Sequence, residues 1–266
     1  MRWAWLAACL AACALRPATH VGPVTATAVV GERRFECSQA GVFEAEPSGP
    51  RLLADPGFRP FALAGRAAGA QRAAVLLVGG GKPAQSGELA LLDLDGRVTS
   101  RRRVAEDVVY AVALAPVDDQ AAAACADGVV RLLHLPDLAV DPGWQPTSWR
   151  HARPAVAVAF SPDGALLASG GHDGVILLGK PGAQSPQALL DHTAAVTCLL
   201  WTPDGRLASG ALDGKVRLHD RSGRLLHTWQ RLGGPITQLA VRAGQLEYTV
   251  AAAPGSPPAS ALLTLP

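Results

Sequence analysis

Residues His151–Gly174 read HARPAVAVAFSPDGALLASGGHDG, and residues His192–Gly214 read HTAAVTCLLWTPDGRLASGALDG. His151 and His192 lie 41 positions apart, as do Asp163 and Asp204, while Asp173 and Asp213 lie 40 apart. A chain that repeats itself at a period of about 40 is built from stacked supersecondary units, and this constrains the fold more than any single residue does.

Each unit alternates short apolar runs with turn residues. In the second copy the runs are Val196–Trp201, Arg206–Ser209 and Lys215–His219. They are separated by Thr202-Pro203-Asp204-Gly205 and by Leu212-Asp213-Gly214. Proline presets φ at the start of a turn, and glycine supplies the positive φ that tight hairpins need. Runs this short, broken this often, predict strands rather than helices. One such unit is a small antiparallel sheet that must stack on neighbours to bury its faces.

These residues resemble the WD-repeat β-propellers, whose repeat reads H-x-x-x-V-x-x-V-x-F-S-P-D-G and then L-A-S-G-x-x-D-G-x-V-x-L. His192, Val196, Pro203, Asp204, Gly205, Ser209, Asp213, Gly214, Val216 and Leu218 match it, as do His151, Val158, Phe160, Ser161, Pro162, Asp163, Gly164, Ser169, Asp173, Gly174 and Leu178. The resemblance implies an all-β propeller of four-stranded blades, each fastened by a tetrad of His, Ser or Thr, Asp and a strand Trp. Here those positions are His192–Ser209–Asp213 and His151–Ser169–Asp173, with His219 and Gly179 where the Trp would stand. The WD dipeptide itself is missing from both copies.

The pattern weakens outward. Val108–Ala115 and Ala121–Leu133 predict a blade in which Asp127-Gly128 takes the place of Asp173-Gly174. Its longer spacing is absorbed by an insert, Pro136–Trp149. Phe61–Gly65, Ala73–Gly79 and Gly87–Asp93 predict another blade, with Gly80–Ser86 as a connecting loop. Val24–Val30, Arg34–Ser38 and Gly41–Ala45 predict a first blade; Pro235–Val241, Gln245–Ala251 and Ser260–Leu265 predict a last one without an outer strand. Innermost strands are expected near Val24, Phe61, Val109, Ala155, Val196 and Pro235, which makes six blades, or seven if one is very degenerate. Closing the ring would require Arg16–Gly22 as the missing strand. Residues 16–266 therefore read as one propeller domain.

Residues 1–15 read differently. Met1-Arg2 precedes the apolar run Trp3–Leu15, which is too short for an ordinary membrane-spanning helix and is expected to be an export signal. Leu10-Ala11-Ala12-Cys13 resembles a bacterial lipobox, which makes Cys13 a lipidation candidate and implies an exported or membrane-anchored protein of the cell envelope; a cytoplasmic protein is the alternative. Cys37, Cys125 and Cys198 show no metal-ligand spacing and fall in different blades, so buried free thiols are expected.

No G-x-S-x-G, P-loop, G-x-G-x-x-G or H-E-x-x-H occurs. Gly79-Gly80-Gly81-Lys82-Pro83 imitates a phosphate loop but lacks the first spaced Gly and the hydroxyl residue after Lys82. The Asp-Gly pairs are turn chemistry. Net charge is +2 over 266 residues, too little for a general nucleic-acid surface. Arg101-Arg102-Arg103 reads as a solvated strand or loop protecting a sheet edge.

The expectation is a non-catalytic protein-interaction scaffold without metal or cofactor, touching a membrane only through an N-terminal lipid. Candidate partner contacts are Trp144 and Trp149 in the insert, plus loops before the innermost strands near Arg59, Asp107, Arg153, Ala194 and Gly234. The rival readings are a propeller enzyme of the lactonase or quinone-dependent dehydrogenase kind, and a subunit of an envelope assembly complex. The enzyme would need carboxylates, His or a metal converging at the channel mouth.

Overall fold

The computed structural model describes residues 24–69, 72–144, 147–230, 232–242, 244–251 and 258–265. Every regular element among them is a strand. Blade 1 comprises β1 (Val24–Val30), β2 (Arg33–Ser38), β3 (Gly41–Glu46) and β4 (Gly49–Ala54). Blade 2 comprises β5 (Pro60–Arg66), β6 (Val75–Lys82), β7 (Ser86–Leu92) and β8 (Val98–Ala105). Blade 3 comprises β9 (Val109–Leu114), β10 (Gln120–Cys125), β11 (Val130–His134) and β12 (Ala139–Val140). Blade 4 comprises β13 (Ala155–Phe160), β14 (Leu167–Gly171), β15 (Ile176–Gly179) and β16 (Gln187–Leu189). Blade 5 comprises β17 (Val196–Trp201), β18 (Leu207–Ala211), β19 (Val216–His219) and β20 (Leu225–Trp229). Blade 6 has three described strands, β21 (Ile236–Arg242), β22 (Gln245–Val250) and β23 (Ala259–Leu263). Neighbouring strands within each blade are antiparallel and in chain order from the centre outward. The fold is thus an all-β, six-bladed propeller.

Two local expectations need correction. Gly80–Lys82 are not loop: they extend β6, with Gly80 opposite Glu88 and Lys82 opposite Ser86, so the connection is only Pro83–Gln85. Glycines here are required by close approach, since a Cβ on Gly80 would stand 2.1 Å from the Arg59 carbonyl oxygen. The insert also contains structure, because Ala139–Val140 pairs with Leu133–His134 as the outer strand of blade 3. The proposed closing strand Arg16–Gly22 and the lipidation candidate Cys13 lie outside the described residues.

The core lies between blades. Leu77, Leu89, Val109 and Ala123 join blades 2 and 3; Trp149, Phe160, Val130 and Leu132 join blades 3 and 4. Ile176, Val196 and Trp201 join blades 4 and 5, where the Trp201 indole also donates to the Ala159 carbonyl across the gap at 3.2 Å. Small residues in the second strands make this packing close. A Cβ on Gly170 would stand 2.6 Å from Val196 Cγ1 of the next blade, and one on Gly210 would stand 2.5 Å from Ile236 Cγ2. The LASG motif therefore serves the neighbouring blade as much as its own.

Blades 1 and 2, and blades 5 and 6, share similar clusters. Among the described residues, blades 6 and 1 share none. The side chains of β1 that point away from blade 2 include Val29, which is 65% exposed, and on blade 6 Leu262 is 52% exposed.

Candidate interaction surface

Every blade carries an irregularity at the same place. Antiparallel register shifts early in the innermost strand leave Thr25, Phe61, Tyr110, Val156, Thr197 and Thr237 without a direct partner on the second strand. Such bulges re-aim a side chain and raise the local twist. All six of these residues line the central channel, a cavity of about 320 Å³. The threonine hydroxyls are spent on the fold. Thr197 Oγ1 donates to the Gly210 and Ile236 carbonyls at 3.0 and 2.6 Å, tying blade 5 to blade 6, and Thr237 Oγ1 donates to the Thr249 carbonyl at 3.2 Å. Tyr110 stands half-buried on the channel wall, and burial pushes its phenol above the ordinary value. No Asp, Glu, His, Lys or Arg is among the described channel-lining residues.

The loops before the innermost strands and the turns between second and third strands share one face of the ring. Backbone bonds hold the two sets together: His172 N–H donates to the Pro154 carbonyl at 2.9 Å, and Leu212 N–H to the Ala195 carbonyl at 2.9 Å. This loop face carries the predicted histidines. His151 Nε2 lies 2.9 Å from Ser169 Oγ and its Nδ1 3.2 Å from Asp173, which also accepts from the Ala152 N–H at 2.8 Å. His192 Nε2 lies 2.8 Å from Ser209 Oγ and its Nδ1 3.1 Å from Asp213. Both imidazoles are buried, and each links a loop to the second strand and turn of the blade it precedes.

The fourth positions differ from the family tetrad. His219 is fully buried, but its Nε2 sits 2.9 Å from Asp191 rather than on Ser209. Gly179 leaves room that Trp149 fills, since a Cβ there would lie 3.4 Å from Trp149 Cζ2. In blade 5 a residue that the motif did not single out completes the network. Arg217 Nη1 donates to Asp213 at 2.9 Å and lies 2.5 Å from His192 Nδ1. Blade 3 holds a matching pair, with Arg131 Nη2 donating to Asp127 at 2.6 Å. The signal was present in the sequence: Asp127 to Arg131 and Asp213 to Arg217 share the spacing D-G-x-x-R, whereas blade 4 has Leu177 there.

Electrostatics follow from these contacts. Burial lowers the His192 pKa to about 4, aided by the adjacent Arg217 charge. Burial also lowers that of His151, with Asp173 opposing. Buried Cys125 is pushed up to about 12 and is an inert thiol. Cys37 is likewise buried, and Cys198 is half-buried on the channel wall.

Trp144 and Trp149 were expected to contact a partner from an exposed loop; the structure buries them. They are 5% and 0% exposed and stack with ring centroids 5.2 Å apart. Their indole N–H groups donate inward, to the Val130 carbonyl at 2.8 Å and the Ala183 carbonyl at 2.9 Å. The reason is the blade 3–4 cleft, which lacks a large strand residue at Gly179 and takes Trp149 as filler. Arg59 and Arg153 do lie exposed on the loop face, with the Arg59 guanidinium 5.1 Å above the Phe61 ring at the channel. Asp107 there accepts the Ala84 and Val108 N–H groups, both at 2.8 Å. Ala194 and Gly234 flank the turns of the preceding blades, Ala194 beside Gly174 and Gly234 beside Gly214. Arg101–Arg103 lie in β8, the outermost strand of blade 2, where Arg101 and Arg103 pair with Glu88 and Glu106.

This geometry defines a class, a blade-fastened propeller with a loop-lined face. The family model "WD domain, G-beta repeat" matches residues 146–178 and 184–220, so blades 4 and 5 are WD40 repeats. Two curated relatives from Caenorhabditis elegans are similar in part. Periodic tryptophan protein 2 homolog is 32% identical over 125 residues, covering 44% of this chain and 13% of that protein. Intraflagellar transport protein osm-1 is 31% identical over 116 residues, covering 40% of this chain and 7% of that protein. The chain thus spans a small fraction of either relative. A chain in the crystal structure of a mitotic checkpoint complex superposes with a TM-score of 0.69 at 18% identity, over 84% of this chain and 71% of that one. That likeness is one of fold.

Proposed function

We propose that this propeller is a non-catalytic scaffold that binds a protein partner through its loop face. The carrying observation is the division of labour among polar groups. His151, His192, Ser169, Ser209, Asp173 and Asp213 spend their hydrogen bonds on one another, while Arg59 and Arg153 stand exposed on the same face. Rigid sheets carrying variable loops are suited to recognition. An enzymatic role would call for converging carboxylates or imidazoles; the described channel wall offers hydroxyls, one phenol, the Cys198 thiol and the Gln238 amide. Purification of the tagged full chain from its host tests the reading. A stoichiometric protein partner, retained less well by the Arg59→Ala/Arg153→Ala chain, is the expected result; no stoichiometric partner would overturn it.

We further infer export to the cell envelope, with Cys13 as the lipidated residue. This rests on the sequence alone, through Arg2, the apolar run Trp3–Leu15 and Leu10-Ala11-Ala12-Cys13. The mass of the mature N-terminus and palmitate labelling test it, and an unprocessed Met1 would sink it.

A further inference from the structure

We propose that the loop face of blades 2 to 5 docks an acidic, extended segment of a protein partner, gripped by Arg59, Lys82, Arg150, Arg153 and Lys215. The proposal rests on the scaffold reading above and deepens it by naming the partner's chemistry.

The first observation is which charges on this face are already used. Asp107 accepts two backbone N–H groups, Asp127 pairs with Arg131, and Asp173 is held by His151 and the Ala152 N–H. Asp191 is paired with His219, and Asp213 with Arg217 and His192. Glu106, the most exposed of these carboxylates, pairs with Arg103, while exposed Asp55 forms no ion pair among the described residues and accepts the Gly57 N–H at 2.7 Å. The cations are placed differently. Arg59, Lys82, Arg150 and Arg153 are exposed and Lys215 half-exposed; none forms an ion pair among the described residues, although the Arg150 charge helps to lower the pKa of Asp127. Arg150 bridges by its backbone to Val129, next to the blade 3 turn that carries Asp127 and Gly128. Burial lowers the pKa of neighbouring His172, with the Arg153 charge adding to it and Asp173 opposing.

The second observation is the opposite face. There Glu32, Asp95, Asp118 and Asp137 are exposed and form no ion pair among the described residues. Among the described residues, Arg97 and Lys180 are the exposed cations there without an ion pair, so carboxylates outnumber cations among these unpaired groups, the reverse of the loop face. Screening limits exposed charges to about 8 Å at physiological salt, so a ligand feels the face it meets and not the molecular total.

The third observation is relief. A depression of about 360 Å³ lies next to Lys215 on the loop face, lined by Leu212, Gly214, Leu232 and Gly234 and by Asp213, whose carboxylate is paired with Arg217. Leu212 is 38% exposed there. Together with Phe61 under Arg59, it gives an acidic segment apolar footholds between the cations. Cations spread over several blades suit a chain crossing the face rather than a single compact anion.

A labelled poly-glutamate peptide, titrated by fluorescence anisotropy against the full chain, tests this. Binding should weaken steeply with added salt. Reversing two loop-face charges, Arg59→Glu with Arg153→Glu, should lower affinity by about tenfold or more. The matched reversal on the opposite face, Arg97→Glu with Lys180→Glu, alters net charge equally and should change it less than about twofold. Equal losses from both pairs, or absence of salt-sensitive binding, would overturn the proposal. So would an unstructured single-stranded oligonucleotide binding more tightly than the peptide, which would favour a nucleic acid. A stoichiometric partner from the host that ignores the Arg59/Arg153 reversal would remove this surface while leaving the scaffold reading standing; no partner at all would remove the scaffold reading.

Discussion

Blades 4 and 5 began as the two most similar stretches of the sequence, and their interiors are solved in different ways. Both use a His, a Ser and an Asp at equivalent places. Blade 4 then relies on packing: Gly179 vacates a space, and Trp149 reaches in from the insert before the blade. Blade 5 relies on charge: Arg217 joins the His–Asp pair, and His219 turns to Asp191. Motif identity therefore secures the first three members of a fastening network, while the fourth is met by whatever the neighbouring segment supplies. The cost of losing that member should differ in kind between the blades.

The largest effect should come from Trp149→Ala, at about 3–5 kcal/mol of destabilisation by chemical denaturation, because a fully buried indole leaves a cavity. Leu190 stands at the matching position before blade 5 and is 73% exposed, so Leu190→Ala should cost less than about 0.5 kcal/mol. Comparable losses from the two would break the comparison. Next come Ser169→Ala and Ser209→Ala, each expected to cost about 1–3 kcal/mol, since each strands a buried imidazole nitrogen.

A third test is pH. The folded chain holds His192 at about 4, below the free value near 6.5, so the unfolded chain binds more protons between them. This contribution is complete above pH 6.5 and is lost as pH falls toward 4. Urea midpoints taken across that window should decline. Arg217→Leu, which copies Leu177 of blade 4, should raise the His192 titration midpoint by NMR toward that of His151; an unchanged midpoint would show that burial alone depresses it. The smallest effect should be at Asp163, held near 2 chiefly by Ser161 and Arg221. It is exposed, where solvent and salt screen an ion pair, so Arg221→Ala should leave the urea midpoint unchanged.

Much of the architecture was legible because turn residues are local. Asp-Gly and Pro-Asp-Gly pairs set where strands end, so the starts of the six innermost strands were readable to within about a residue, as expected where turn chemistry decides. Glycine runs misled, because Gly80 and Gly81 look like loop but are strand residues pressed against the Arg59 and Ser86 carbonyls. The tryptophans misled for the converse reason. An insert between blades looks exposed in one dimension, and only the cleft opposite Gly179 makes it core.

The sequence by itself determined the repeat, the all-β class and the histidine–serine–aspartate fastenings, and narrowed the blades to six or seven, because each depends on spacing along the chain. The tertiary structure alone decided three other things. It placed one bulged residue of every blade on the channel, buried Trp144 and Trp149, and brought Arg59, Lys82, Arg150, Arg153 and Lys215 from distant segments onto one face. These arise where one blade meets another or where separate loops converge, and such contacts join residues whose separation in the chain follows no local rule.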